Sequence, residues 1–323
     1  ELFHLQIADN PTTPHEDADR RWHFRYGYIS SSYSDYLDGT KKLSLDDVLF
    51  APGEDVRTQQ NFPVVPHEIT QEVHAVSLGY DINDDFSLNV TVPYVKQQTD
   101  HISVVPGYDH FNISSKGLGD IIVVGRYSLS ETTNGKWNIG LGLSFPTGGI
   151  DEQGDTPKGP GDQQLPYSMQ LGSGTYDIPA YIAFSGITEK FRWGVDANAK
   201  VRLGSNDRDY CLGNSVGLAA WIRFEIGNRI APSMQLSYTN WGAINGKDEE
   251  LVVPGAFPYP AGVLNPRLYG GQIAELTLAL DIPDFVFGQD LRIGYSFPVY
   301  QSLNGPQPGK DYSFSISFTT AFM

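Results

Sequence analysis

From residue 311 to the C-terminus the chain reads DYSFSISFTTAFM. Tyr312, Phe314, Ile316, Phe318 and Phe322 fall on every second position, interrupted only by Thr320. Ser313, Ser315, Ser317, Thr319 and Ala321 lie between them. A period of two predicts a strand with one apolar and one polar face. The pattern recurs upstream: Phe86, Leu88, Val90, Val92 and Tyr94 alternate with Ser87, Asn89 and Thr91. Trp137, Ile139, Leu141, Leu143 and Phe145 alternate with Asn138, Gly140, Gly142 and Ser144. Phe191, Trp193, Val195, Ala197, Ala199, Val201 and Leu203 alternate with Arg192, Gly194, Asp196, Asn198, Lys200 and Arg202.

About twelve such strands are predicted, near 21–33, 69–81, 86–96, 117–130, 136–146, 174–187, 191–203, 211–226, 230–241, 269–282, 288–299 and 311–323. Pro179 should interrupt the ladder of the sixth. Long connections (34–68, 97–116, 147–173, 242–268) alternate with short turns at 82–85, 131–136, 188–190 and 227–229. A C-terminal strand needs a partner for its edge. Long loops on one side, short turns on the other, and a last strand free to close on the first describe a transmembrane antiparallel β-barrel. The long loops are then extracellular and the short turns periplasmic. The expected fold is all-β: a barrel over 21–323, preceded by a polar, acidic segment, 1–20, read as a periplasmic arm or plug. The numbering starts at Glu1, so the chain reads as a mature one whose leader is absent.

Composition supports that reading only through its details. Hydrophobic residues make up 40% and mean hydropathy is slightly negative, with no apolar run long enough for a membrane-spanning helix. A barrel escapes that test because only alternate residues touch lipid. Tyr 18, Phe 17 and Trp 5 are many for a chain with so few aliphatic runs, and Gly 34 with Pro 21 favours turns. Trp22, Phe86, Trp137, Phe191, Phe224 and Phe322 sit at expected periplasmic ends; Tyr28, Tyr94, Phe145, Phe297 and Tyr312 sit at outer ends. Both rows suit the two bilayer interfaces. A net charge of −16 argues against nucleic acid and fits a surface facing a cation-bridged lipopolysaccharide layer. The single cysteine, Cys211, excludes an internal disulfide and reads as a small residue at a strand end.

No G-x-S-x-G, P-loop, H-E-x-x-H or paired C-x-x-C occurs. His67, Glu68 and His74 lie in HEITQEVH, a spacing that suits no zinc helix, at a loop-to-strand border. His101 and His110, with Asp100 and Asp109, flank a loop and read as polar surface residues, with surface metal binding as the alternative. The acidic loop DEQGD at 151–155 does not match the EF-hand spacing. The chain is expected to be no enzyme and to use no metal or cofactor.

Parity also sorts the lumen. The inward residues are mostly Gly, Ser, Thr and Asn, too small to fill a barrel of this width. The charged ones cluster: Arg25, Arg192 and Arg292 come early on upward strands, Arg126 and Arg223 late on downward ones. All five are expected near the periplasmic end of the lumen. Such a belt would attract anions, dock the acidic arm through Glu16, Asp17 and Asp19, or form wall salt bridges with Glu225 and neighbouring carboxylates.

Several pieces at loop borders stand outside the strand pattern: GLGD (117–120), FPTGG (145–149), LPYSMQLGSGTYD (165–177), LNP (264–266) followed by Gly270-Gly271, and PVYQSLNGPQ (298–307). Together, over roughly 70–323, the chain resembles the outer-membrane transporter-like family of the meta-pathway of phenol degradation. The resemblance implies diffusive passage of small, hydrophobic or aromatic solutes across the bacterial outer membrane. It carries over no binding residues. The alternative is a non-conducting structural barrel, a surface scaffold or partner of another envelope component docking through its long extracellular loops.

Overall fold

The computed structural model describes residues 21–132, 135–226, 229–286 and 288–323. In chain order its strands are β1 (Trp22–Gly39), β2 (Lys41–Leu43), β3 (Val64–Asp81), β4 (Phe86–Ser103), β5 (His110–Leu118), β6 (Ile121–Thr132), β7 (Gly135–Phe145), β8 (Gln153–Asp155) and β9 (Asp162–Gln164). They continue with β10 (Tyr176–Ile187), β11 (Phe191–Leu203), β12 (Tyr210–Cys211), β13 (Ser215–Phe224), β14 (Ala231–Trp241), β15 (Asn245–Gly246), β16 (Gly271–Val286) and β17 (Gln289–Phe322). A short helix, α1 (Leu45–Val48), stands in the first long loop.

The sheet closes. Around the ring the order is β1, β3, β4, β6, β7, β10, β11, β13, β14, β16, β17, and β17 returns to β1 with Trp22 opposite Phe322. The pairings along this ring are antiparallel. Parity then fixes the shape of β17. β1 and β16 are joined by an odd number of antiparallel steps and so run in opposite directions, yet β17 is antiparallel to both. It must double back, and Leu303 marks the place, partnered with Gly271 on one side and Gly39 on the other. Tyr295 stacks on Tyr312 (5.7 Å between centroids), and Gln301 exchanges hydrogen bonds with the Lys310 backbone, across the two limbs. Eleven ring strands, one of them folded in two, make twelve staves, the count that alternation predicts.

The outer face carries the oily residues. Leu141 is 64% exposed, Leu218 58% and Val299 55%, with Ile182, Leu236 and Leu278 also exposed. Exposed apolar side chains on alternate positions of a closed wall are lipid contacts. Each such residue would cost about 1.5–3 kcal/mol of lost burial if water covered the belt instead. Aromatic rings rim it: Trp22 against Tyr80 (4.6 Å) and Phe322 (6.5 Å), and Trp137 against Phe184 (4.9 Å). The wall is that of a bacterial outer-membrane barrel.

Several boundaries differ from expectation, for one reason. β1 continues to Gly39, β3 begins at Val64, residues 97–116 hold the top of a β4–β5 hairpin, and 300–310 lie within β17. HEITQEVH lies wholly within β3 rather than on a border. Above the bilayer the outward positions become polar, as at Glu72, Lys96 and Gln98, so alternation fades while the ladder continues. Pro179 behaves as its missing N–H requires on one side only. It is in register with Lys200 of β11, while the β10–β7 register skips from Asp177 to Ala180.

Candidate functional site

The site is the lumen and the loops inserted into it. In its lower half the wall presents Ser77, Thr91, Gly140, Asn198, Gly217, Ser317 and similar small residues. Two aromatics also face inward, and each lies over a glycine of the neighbouring strand. A Cβ on Gly140 would stand 2.0 Å from the Tyr181 ring, and one on Gly194 2.7 Å from the Trp221 indole. Glycine at both positions lets the rings lie flat on the wall.

Higher up, the loop joining β7 to β10 turns inward and is tied to the wall. Leu171 packs on Val73 and Val95. Gln97 accepts from Gln71 Nε2 (3.2 Å) and donates to Ser115 Oγ (3.1 Å) and the Gln170 carbonyl (3.3 Å). Ser115 Oγ donates to the Met169 carbonyl at 2.6 Å. Three loop-border motifs meet at Asp120. Its Oδ1 accepts from Gly148 N (3.0 Å); its Oδ2 accepts from Ser173 N (2.8 Å) and Ser173 Oγ (2.7 Å). Thr147 Oγ1 accepts from Ile121 N and donates to the Gly119 carbonyl, both at 2.9 Å, filling the ladder gap between β5 and β6. A Cβ on Gly148 would meet Gly172 backbone at 2.7 Å, so the GG and LGSG segments require their glycines for close approach.

Below this knot Asp177, fully buried, is paired with Arg202, whose side chain is 6% exposed. Thr175 Oγ1 donates to Asp177 Oδ1 at 2.8 Å. A buried carboxylate is tolerated only when paired and hydrogen-bonded, and both conditions hold here. Between knot and wall lies a cavity of about 30 Å³, room for about one water, lined among others by Pro93, Asp120, Ile122, Ser144, Leu171 and Arg202.

The outer loops pack over this neck. Tyr167, Tyr210 and Tyr269 meet edge to face, with Ile244 and Leu251 beside them. Burial pushes the Tyr167 phenol up to about 12. A second cluster holds Tyr36, Val48 of α1, Phe62 and Val65. Arg208 joins three loops: Nε donates to Asp248 (2.6 Å), Nη1 to Asp151 (2.9 Å), and Nη2 pairs with Glu250 (2.8 Å). Burial works against the Arg208 charge, but Asp248 and Glu250 outweigh it and raise its pKa further. The LNP, Gly270-Gly271 and PVYQSLNGPQ pieces also meet. Asn304 Nδ2 donates to the Tyr269 carbonyl (3.2 Å) and Gln307 Nε2 to that of Gly270 (3.0 Å).

Of the five arginines expected as a belt, three come together. Arg192 stands opposite Arg223, and both face Glu225, at 3.1 and 3.6 Å. Arg292 Nη1 donates to both oxygens of Asp281 (2.9 Å each) and to Ser233 Oγ (3.1 Å). Arg25 is on β1, in register with Ser77 and Thr319, and Arg126 on β6, in register with Ser87 and Gly140. Glu16, Asp17 and Asp19 lie outside the described residues. His101 is buried and stacked on Phe111 (4.5 Å). Among the described residues, no group of three or more His, Cys, Asp and Glu side chains is placed to hold a metal ion.

The knot residues Asp120, Ser173 and Asp177, and the clasp Arg208–Asp248, were not singled out from sequence. The signal available was that GLGD and LGSGTYD, both conspicuous, carry the two carboxylates.

No family model matches the chain, and no curated protein matches it. Among solved structures, an outer membrane channel from Pseudomonas putida F1 is similar over 94% of this chain and 96% of that chain, with a TM-score of 0.59 and 13% identity. The NanC porin (94% and 100% covered, TM-score 0.45, 9% identity) and the Ralstonia pickettii toluene transporter TbuX (94% and 90%, 0.44, 8%) are more remote. At these identities likeness speaks to fold, and the first of them shows it: this chain has the closed antiparallel barrel of outer-membrane proteins.

Proposed function

We propose that the chain is an outer-membrane channel giving diffusive passage to small, hydrophobic or aromatic solutes, in a membrane whose outer leaflet is lipopolysaccharide. The observation that carries this reading is the division of labour inside the barrel. The wall contributes small side chains, and what narrows the lumen is loop, held by replaceable polar contacts at Asp120 and Arg208. A barrel built only as a scaffold has no need of a wall that leaves its interior to loops. The similar P. putida barrel is described as a channel, and the loop-border motifs resemble a family implied in aromatic transport; both support the reading. Selection would rest on pore width, lumen charge and loop contacts, without energy input.

Within this reading the arginines have three uses. Ion pairing with Glu225 and Asp281 accounts for Arg192, Arg223 and Arg292. Anion attraction and docking of the 1–20 arm are the functional uses. The second reading, a non-conducting barrel with its loops as a partner surface, draws on the close packing of the outer loops against one another. Single-channel recording in planar bilayers decides between them. Steady openings support a channel, openings only after deletion of 1–20 support a plugged one, and silence in both proteins overturns the proposal.

A further inference from the structure

The lumen-facing stripe of β11 runs Arg192, Gly194, Asp196, Asn198, Lys200, Arg202. Its charges are treated differently. Asp177 faces Arg202, Glu225 faces Arg192, Asp281 faces Arg292, and Glu275 faces Lys310. Asp196 forms no ion pair among the described residues; its hydrogen bond is a long one, from Asn198 Nδ2 at 3.5 Å. A half-buried carboxylate carries a desolvation cost that an arriving cation would relieve.

The neighbours of Asp196 leave room for that cation. Directly opposite it stand Ala183 on β10 and Ala219 on β13. Two residues below on the same face is Gly194, and the Trp221 indole lies on it. Trp221 is also the diagonal cross-strand neighbour of Asp196, a separation of about 7–8 Å. One negative charge beside one flat π-face, with only alanines directly opposite on the neighbouring strands, suits an organic ammonium, whose charge is attracted by both. A divalent metal is a poor fit, because such ions need several oxygen ligands and one carboxylate is present. Lys200 above and Arg192 below, each four residues away on the stripe, disfavour a second cation.

We propose that Asp196 and Trp221 form a lumen site for a small organic ammonium carrying an aromatic or alkyl body. The inference rests on the channel reading and deepens it, by assigning a charge to part of the solute class. Calorimetric titration of the full-length chain in detergent, with 2-phenylethylammonium as probe and 2-phenylethanol as its neutral counterpart, tests it without requiring conduction. Asp196→Asn should weaken ammonium binding about tenfold, Asp196→Glu should keep it within a few-fold, and Trp221→Leu should weaken it several-fold. The alcohol should bind wild type and Asp196→Asn alike. Retention of the heat-modifiable gel shift certifies each variant as folded. Ammonium affinity unchanged in Asp196→Asn, or equal affinity for ammonium and alcohol, overturns the site. Absence of single-channel openings with binding intact would instead overturn the channel reading alone.

Discussion

Ser173 holds Asp120 twice: its backbone N–H and its hydroxyl both donate to the same carboxylate oxygen, at 2.8 and 2.7 Å. Asp120 belongs to the wall, between β5 and β6, and Ser173 to the inserted loop. Gly148 N binds the other oxygen. Asp120 therefore joins Gln97, Ser115 and the Leu171 contacts in seating the loop in the lumen. Charge-assisted bonds of this kind contribute about 1.5–3 kcal/mol. Asp120→Ala should unseat the loop without dissolving the ladder, which continues on both sides of it. The expected outcome is larger single-channel conductance and a transition lowered by about 2 kcal/mol. Unaltered conductance would mean that the knot does not set the neck.

Arg208 should act on the loops and not on the wall. Its three carboxylate partners come from two other loops, Asp151 from one and Asp248 with Glu250 from the next. Asp248 is nearly buried, at 4% side-chain exposure, so removing the arginine leaves a carboxylate without its cation. Arg208→Gln should speed proteolytic cleavage within 204–214 and 242–270 and make gating noisier. The heat-modifiable band of the barrel should not change. Because Asp151 and Glu250 are well exposed, salt should weaken their share, and the wild type at 1 M salt should move part of the way toward the variant.

The inserted loop also buries apolar surface. Leu171 is 4% exposed and touches Val73 and Val95, and a Cβ on Gly117 would meet its Cδ1 at 2.7 Å. Leu171→Ala should cost about 2–4 kcal/mol through lost transfer energy and the cavity left behind. Chemical denaturation of the folded barrel in detergent measures it. A loss below about 1 kcal/mol would show that the loop is loosely seated.

The staves were legible in the chain because each is solvated differently on its two faces. Trp137 to Phe145 is a strand on sight, and DYSFSISFTTAFM does close on Trp22 as its alternation required. The hairpin tip at 97–116 was not legible. There Gln97 and Thr99 point into the loop core while Gln98 and Asp100 point to water, so both faces are polar and period two carries no contrast. The site was hidden for a related reason. Asp120 and Asp177 read as ordinary polar residues at loop borders, and only contacts with Ser173, Gly148 and Arg202 reveal the half-buried first and the buried second as anchors. The arginines were visible by parity, and so was Glu225 as a wall partner; Asp281 was not, although it faces Arg292 directly across the β16–β17 hairpin.

In the first long loop, α1 gives a pH test. Ser44 caps it: Asp47 N donates to Ser44 Oγ at 3.2 Å, while Ser44 N and Oγ donate to Asp47 Oδ2 at 2.9 and 2.8 Å. The Ser44 backbone and then its hydroxyl hold the Asp47 carboxyl below the usual range. A depressed folded pKa stabilises above the unfolded value, about 3.9, and the contribution fades as pH falls through the folded one. Val48 ties α1 to Tyr36, Phe62 and Val65. Amide exchange in 44–49 should therefore quicken, relative to intrinsic rates, as the pH falls below about 4, and Asp47→Asn should show no such step.

Lipid contact is tested where the wall is most exposed. Leu141 lies mid-stave on β7, in register with Gly125 and Ala180, and 64% of it is open to the outside. In water an arginine there would be harmless or helpful. In a bilayer it must bring its charge into hydrocarbon, at about 2–4 kcal/mol near the midplane and about 0–1 kcal/mol near the interface. Leu141→Arg should therefore lower the stability of the barrel folded into lipid vesicles by about 2–4 kcal/mol. Gly140→Ala, one residue away and facing the lumen, should fail for another reason, since its Cβ would collide with the Tyr181 ring at 2.0 Å. Equal tolerance of arginine at 141 in vesicles and in water would mean that the oily face meets protein rather than lipid, and the membrane barrel would fall with it.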